Sequence, residues 1–100
     1  MRNEAWALVS ERVARFEQGR LPLTQLVEDL AALEAALDPP RESWGATFHL
    51  ALDELTRRVS VWQGRESSGF PPMPEPDYND SGVRDLMQII ARLVRHPDDA

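Results

Sequence analysis

The feature of this sequence that most constrains its fold is an apolar stripe between residues 41 and 63. Apolar side chains recur there at intervals of three and four residues, which places them on one face of an α-helix. Such a face is stable only when other apolar faces cover it, so the rest of the chain has to supply them. The stripe consists of Trp44, Phe48, Ala51, Leu55, Val59 and Trp62.

Three further segments carry stripes of the same kind, and no segment shows the alternation of a β-strand. The predicted helices span residues 3–17, 22–38, 41–63 and 80–95, with Gly64 ending the third and Asn79, Asp80 or Ser81 capping the fourth. Because the 100-residue chain is 42% hydrophobic, it can bury one core. We therefore predict an all-α fold, a single domain over residues 1–100 that forms an antiparallel four-helix bundle.

A long proline-rich loop is predicted over residues 64–79, before the last helix. It is longer than most helix connections, which have about 2–8 residues. Its prolines at positions 71, 72, 74 and 76 favour extended polyproline geometry. Two interpretations stay open. The loop lies across the end of the bundle, or it forms a semi-rigid arm that presents acidic side chains to a partner.

Negative charge is concentrated in two segments of the chain. The net charge is −6, and residues 21–40 and 66–82 each hold four carboxylates and no basic residue. Acidic surfaces repel nucleic-acid phosphates and anionic membranes, so we expect no direct binding to either. They favour a basic protein partner, because complementary charge speeds encounter. Solubility alone is the other explanation of the charge. The eight carboxylates belong to Glu28, Asp29, Glu34, Asp38, Glu66, Glu75, Asp77 and Asp80.

The sequence offers little for catalysis. It has no cysteine, which excludes thiolate nucleophiles and cysteine-based zinc sites. His49 and Asp53 lie one helical turn apart. Such a pair can be a catalytic base with the carboxylate that orients it, half of a metal site or, more commonly, a solvated surface pair. We expect no enzyme activity, no metal and no cofactor. The start lacks a signal-peptide pattern and no apolar run approaches the roughly 20 residues of a membrane span, so we expect a cytoplasmic protein.

Residues 13–55, VARFEQGRLPLTQLVEDLAALEAALDPPRESWGATFHLALDEL, carry a recognisable pattern. A helix ending in RFExG is followed by PLxxLVxDLxxLxxAL, and then by a tryptophan and a phenylalanine in the next helix. The pattern resembles small acidic all-helical bacterial immunity proteins of polymorphic and contact-dependent growth inhibition toxin systems. The matching positions are Arg15, Phe16, Glu17, Gly19, Pro22, Leu23, Leu26, Val27, Asp29, Leu30, Leu33, Leu37, Trp44 and Phe48.

The resemblance implies a protein that binds a cognate toxin domain and blocks its active site or substrate groove. The toxin would be basic, often a nuclease or another nucleic-acid-modifying enzyme. Trp62 and Tyr78, at the loop, are candidate aromatic anchors, although Trp62 also fits the core. Together with the eight carboxylates they form the predicted partner-binding set. We expect Arg substitutions at Glu75, Asp77 and Asp80 to slow association and to leave the fold intact.

The sequence alone leaves two questions open. The alternative function is a small homodimerising or adaptor bundle without a toxin partner, although a monomer is expected over a dimer. The second helix also carries an alanine patch, Ala31, Ala32 and Ala35, beside the outward-pointing Glu28. Alanine is a strong helix former, so the patch has a simple explanation. The other explanation is that the loop or a partner covers it.

Overall fold

The computed structural model describes residues 4–69, 71 and 73–96, with the exception of the Glu66 side chain. In these residues it contains four α-helices and no β-strand. The all-α prediction is confirmed for this part of the chain. In the described ranges, no helix is long and apolar enough to cross a membrane. The helices are α1 (Glu4–Glu17), α2 (Leu23–Glu34), α3 (Glu42–Ser67) and α4 (Ser81–Arg95).

The helices surround one shared core. Helices α1 and α3 each contact both α2 and α4. Their apolar stripes converge, as the sequence periodicity requires, and each helix contributes side chains with almost no exposed surface. These residues are Val9 and Val13 of α1, Leu23, Leu26 and Leu30 of α2, Trp44, Phe48 and Leu55 of α3, and Val83, Met87 and Ile90 of α4.

An aromatic cluster around Trp44 forms one end of this core. Its ring centroid lies 4.7 Å from that of Trp6 and 5.4 Å from that of Phe48, which it stacks at 6°. The indole Nε1–H donates a hydrogen bond of 2.8 Å to the carbonyl of Leu93 in the last turn of α4. A helix would pair that carbonyl with the N–H of residue 97, but residue 97 is a proline and has none. The indole N–H therefore satisfies the Leu93 carbonyl, for which the helix has no N–H donor.

Helix α2 ends four residues before the predicted end at residue 38. The N–H groups of Ala36 and Leu37 donate to the carbonyls of Leu33 and Glu34, three residues back, so the chain tightens into a turn after the helix. Pro39 contributes to this, because it has no N–H to donate to the carbonyl of Ala35 and its ring would clash with that carbonyl in a regular helix. Leu37 is nevertheless buried, because the turn directs it into the core.

Helix α3 is longer than predicted. Gly64 continues the helix, which glycine does at a cost of about 1 kcal/mol, and α3 runs to Ser67 before Gly69 adopts a φ of +79°. The apolar stripe stops before the helix does: after Val59 no described side chain of α3 is fully buried, and Trp62 is half-buried. Residues 60–67, named the α3 overhang below, therefore extend past the core by roughly 12 Å.

Replacement of Trp44 by Phe tests the indole contact. The change keeps an aromatic ring beside Phe48 but leaves the buried Leu93 carbonyl without its donor. We expect the free energy of unfolding to fall by about 1–3 kcal/mol. Urea denaturation followed by far-UV circular dichroism measures it. The matched control is Trp62→Phe, which removes an exposed indole hydrogen bond and should cost clearly less. Equal losses in the two variants would contradict a special role for the Leu93 contact.

Candidate partner-binding surface

Residues 73–80, named the connecting segment below, lie against the helices and lead into α4. Trp62 Nε1 donates a hydrogen bond of 2.9 Å to the carbonyl of Met73. Tyr78 meets the ring of Phe16 edge-on, with centroids 6.3 Å apart. Arg84 Nε donates to the Tyr78 carbonyl, and its guanidinium lies over the Tyr78 ring. The connecting segment is thus fastened to α3, α1 and α4.

A fourth contact ties the connecting segment to the start of α2. Pro22 occupies the position before the helix and offers no side-chain acceptor to its first N–H groups. Glu75 supplies one from 51 residues away, because its Oε2 accepts from both the N–H and the Oγ1–H of Thr24 at 3.1 Å. A carboxylate is also favoured there by the positive end of the helix dipole. The contact joins the two segments that hold the excess negative charge.

Asp80 has a similar role at α4. Its Oδ1 accepts from the N–H of Val83 at 3.1 Å, so Asp80 is the N-cap among the three predicted candidates. The same oxygen lies 3.7 Å from Arg58 Nη1. Asp77 accepts from the N–H of Asn79 at 2.9 Å, which shapes the turn before the cap. Glu75, Asp77 and Asp80 all accept hydrogen bonds within the chain, so Arg substitutions at these positions would lower the stability as well as change the charge.

The acidic residues of α2 and of the stretch that follows it fall into two groups. Asp29 accepts from Arg12 Nε at 3.0 Å and from Gln25 Nε2 at 2.8 Å, and Glu34 pairs with His49 Nδ1 at 3.0 Å. Glu28 and Asp38 are exposed and contact no polar partner in the described ranges. Only this second group is fully available to another molecule.

The pairing of His49 differs from the sequence interpretation. Its ring nitrogen meets Glu34 of α2 and not Asp53, which lies one turn along the same helix. The His49 side chain is 65% exposed, so this is a solvated pair. Within the part of the chain that the structure covers, no group of three or more His, Asp and Glu side chains is placed to hold a metal ion.

The alanine patch of α2 remains exposed. Ala31, Ala32 and Ala35 are all open to solvent, so the connecting segment does not cover them. Thr24 and Glu28 precede them on the same side of the helix, at intervals of about one turn. The surface therefore runs from the Glu75 carboxylate past Glu28 to a shallow stretch of small side chains.

An open groove separates the second half of α3 from the connecting segment. It has a volume of about 610 Å³. Val61, Trp62, Met73 and Pro74 provide its apolar surface, and Arg57 and Arg58 stand along the α3 side. The groove was not predicted, although residues 54, 57, 58, 61, 62 and 65 follow a second helical stripe that the sequence shows.

The predicted partner-binding residues are therefore distributed over different environments. Trp62, Glu75, Asp77 and Asp80 line the groove, and Tyr78 is half-buried against α1. Asp29 and Glu34 belong to pairs between helices, and Glu28 and Asp38 are open. Glu66 lies within α3, but its side chain is outside the described part of the structure.

No protein-family model, curated protein or solved structure matches this chain. The resemblance to immunity proteins rests on the sequence pattern alone.

Removal of the Glu75 carboxylate tests the cap of α2. In Glu75→Ala, the first turn of α2 loses the acceptor for the Thr24 N–H and hydroxyl. We expect the free energy of unfolding to fall by about 0.5–2 kcal/mol, the usual effect of losing an N-cap. Urea denaturation measures this loss.

The matched control is Asp77→Ala, two residues away. It removes the same charge but only an exposed turn contact, so its effect should be smaller. A Glu75 variant as stable as the parent would contradict the capping role.

Proposed function

We propose that this chain is an immunity protein of a bacterial toxin system, which binds a cognate toxin domain in the cytoplasm and blocks its active site or substrate groove. The sequence resemblance suggests this class. The observation that carries the proposal is the contact between Glu75 and Thr24, because it places the acidic connecting segment beside the acidic helix α2. The contact thereby joins two acidic segments that are separate in the sequence.

The proposal includes the finer architecture. We take the four helices as an antiparallel bundle with a long proline-rich loop before α4. Two contacts support opposite directions for α3 and α4. Trp44, in the first turn of α3, contacts Leu93 in the last turn of α4. Arg58, further along α3, approaches Asp80 immediately before α4.

The proposed mechanism combines charge with close approach. Glu28 and Asp38 have no competing partner among the described residues, so they can take the positions of phosphate groups on a basic toxin surface. The small side chains of Ala31, Ala32 and Ala35 between them let that surface come near the backbone of α2. The capped start of α2 holds these groups in place, and preorganisation of this kind lowers the entropic cost of association.

A double charge reversal tests this surface. The partner to use is the purified C-terminal domain of a large secreted protein encoded beside this gene. We expect Glu28→Arg with Asp38→Arg to slow its association by about tenfold at low salt, because both changes oppose electrostatic steering. Stopped-flow or surface-plasmon measurements at two salt concentrations give the association rate.

The matched control is Asp53→Arg with Asp85→Arg, which makes the same change in net charge at exposed positions of α3 and α4. It should slow association much less. Equal rates for the two double variants would contradict the α2 surface. A neighbouring domain that does not bind the parent chain, or the lack of a neighbouring toxin gene, would contradict the immunity function itself.

A homodimerising or adaptor protein remains the second candidate, because two large apolar side chains are exposed outside the groove. Leu50 of α3 is 65% exposed and Ile89 of α4 is 41% exposed. If they mark a self-association surface, light scattering at high protein concentration should detect a dimer, and Leu50→Glu should return it to a monomer. A parent chain that is monomeric throughout would exclude the homodimer.

A further inference from the structure

Four large apolar side chains are exposed in the described ranges of the chain. Two of them, Leu50 and Val61, belong to α3, where Val61 is 59% exposed. The other two are Met73 of the connecting segment, which is 46% exposed, and Ile89 of α4. Exposed apolar side chains that lie together mark contact surfaces. The positions of these four on their helices decide whether they form one surface.

Leu50 and Val61 are the ends of a row of side chains along the outer side of α3. The row, named the outer seam below, consists of Leu50, Glu54, Arg57 and Val61, at intervals of four, three and four positions. A helix contacts a second helix at such intervals in a coiled coil. All four side chains are exposed and α3 is helical throughout, so the seam is open along roughly 16 Å.

The outer seam is complementary to a second copy of itself. The midpoint between Leu50 and Val61 is also the midpoint between Glu54 and Arg57. A two-fold axis at this midpoint relates two antiparallel copies of α3 and brings each residue to the level of its counterpart across the midpoint. Leu50 then lies opposite Val61 of the second copy, and Glu54 lies opposite Arg57. The pairing thus matches apolar with apolar and acid with base.

The charges of the seam also balance in this arrangement. Glu54 and Arg57 of one chain are 3.8 Å apart, and their side chains are 47% and 73% exposed. Such a pair contributes little by itself. In the antiparallel dimer each Arg57 lies between its own Glu54 and that of the second copy. Asp53, beside the seam, comes within one residue's rise of Arg57 of the second copy, so it also meets a base.

The other two exposed apolar side chains lie beside the ends of the seam. Met73 lines the groove together with Val61. With the antiparallel directions proposed above, the two contacts between α3 and the ends of α4 place Ile89 within about one turn of Leu50. The second copy therefore brings its Leu50 to Val61 and its Ile89 to the level of Met73. All four exposed apolar residues become part of one contact.

A glycine inside α3 allows a second helix to come close. Gly64 continues the helix at a cost in stability, although a Cβ atom there would meet nothing within 4 Å outside its own stretch of helix. In the antiparallel pairing, Gly64 lies within one residue's rise of Ala46 of the second copy, and Ala46 is exposed as well. Small residues at both ends of the seam let the two backbones approach.

From these observations we propose that the outer seam binds a second copy of this chain, with the two α3 helices antiparallel and the two-fold axis between Glu54 and Arg57. The pairing uses neither Glu28 nor Asp38, so it does not depend on a toxin partner. It specifies the direction and register of a dimer, and it holds whether or not dimerisation is the function of the chain.

The size of the contact sets its strength. A strip of roughly 27 Å from Ala46 to Gly64, with the width of one helix, about 10 Å, covers about 300 Å² on each copy. A standard interface covers roughly 800 Å² on each partner. The dimer is therefore weak and reversible. Analytical ultracentrifugation from about 10 µM to about 1 mM should give a dissociation constant below about 1 mM. A chain that is still monomeric at the highest concentration would overturn the proposal.

Two charge reversals test the register. Glu54→Arg places bases opposite each other and Arg57→Glu places acids opposite each other, so each variant alone should associate at least about tenfold more weakly. An equimolar mixture of the two should regain the affinity of the parent chain, because every base then faces an acid. Circular dichroism checks that both variants are folded. A mixture that associates no better than its separate components would overturn the register.

The matched control is the exposed pair of Glu11 and Arg15 on α1, whose charged groups are 3.5 Å apart. Glu11→Arg and Arg15→Glu make the same changes in net charge away from the seam. Each should associate as the parent chain does. Control variants that weaken association as much as the seam variants would show a general effect of charge and would contradict the seam.

Cysteine cross-linking tests the direction of pairing, because the sequence has no cysteine of its own. A short bis-maleimide should join Leu50→Cys to Val61→Cys when the two variants are mixed. It should join neither variant to itself, since equal positions lie roughly 16 Å apart along the helices in the antiparallel dimer. Cross-linking of Leu50→Cys mainly to itself would overturn the antiparallel arrangement.

Discussion

Helix α2 begins after a proline, so the chain near its start has no side chain that can accept the first N–H groups of the helix. The Glu75 carboxylate, 51 residues away in the sequence, accepts the hydrogen bond of the Thr24 N–H instead. To do so, the connecting segment has to pass over the end of α2, and this path brings Met73 to Trp62 and Tyr78 to Phe16. The Glu75 contact acts together with the contacts to α1, α3 and α4, and it is the one that brings the two acidic segments together.

The acidic composition of the chain therefore has two different causes. Glu75 and Asp80 are needed by helix ends, and Asp29 and Glu34 pair with side chains of neighbouring helices. The Glu34–His49 pair is largely exposed on the His49 side, and exposed ion pairs contribute little to stability, so a basic partner can compete for Glu34 more readily than for the caps. The net charge of −6 includes all of these carboxylates equally, whether or not they are bonded within the chain. Fewer carboxylates are unpaired than that charge suggests, and in and directly after α2 the unpaired ones are Glu28 and Asp38.

Local patterns were enough to predict the helices, most of their buried faces and three candidate caps for α4 that include Asp80, because each depends on residues within a few positions of one another. They were not enough for the ends of α2 and α3. Helix α2 ends at Glu34 although its apolar periodicity continues to Leu37, and α3 continues through Gly64 to Ser67 although its apolar stripe has ended. Contacts between distant residues were also missed. Nothing near Glu75 in the sequence shows that Thr24 lacks an acceptor, and His49 has Asp53 nearby but pairs with Glu34. The groove depends on such distant contacts, whereas the open position of Glu28 follows from helical geometry.

The α3 overhang has a consequence for how the molecule moves. Its helical hydrogen bonds continue beyond the core, and Trp62 links it to the connecting segment through the Met73 carbonyl. Amide protons in such a region exchange with solvent through local opening, while those beside Trp44 and Phe48 require a much larger part of the fold to open. The groove is thus built on the least cooperative part of α3. A ligand there would slow amide exchange along the last two turns of the helix, and part of its binding energy would be spent on suppressing that motion.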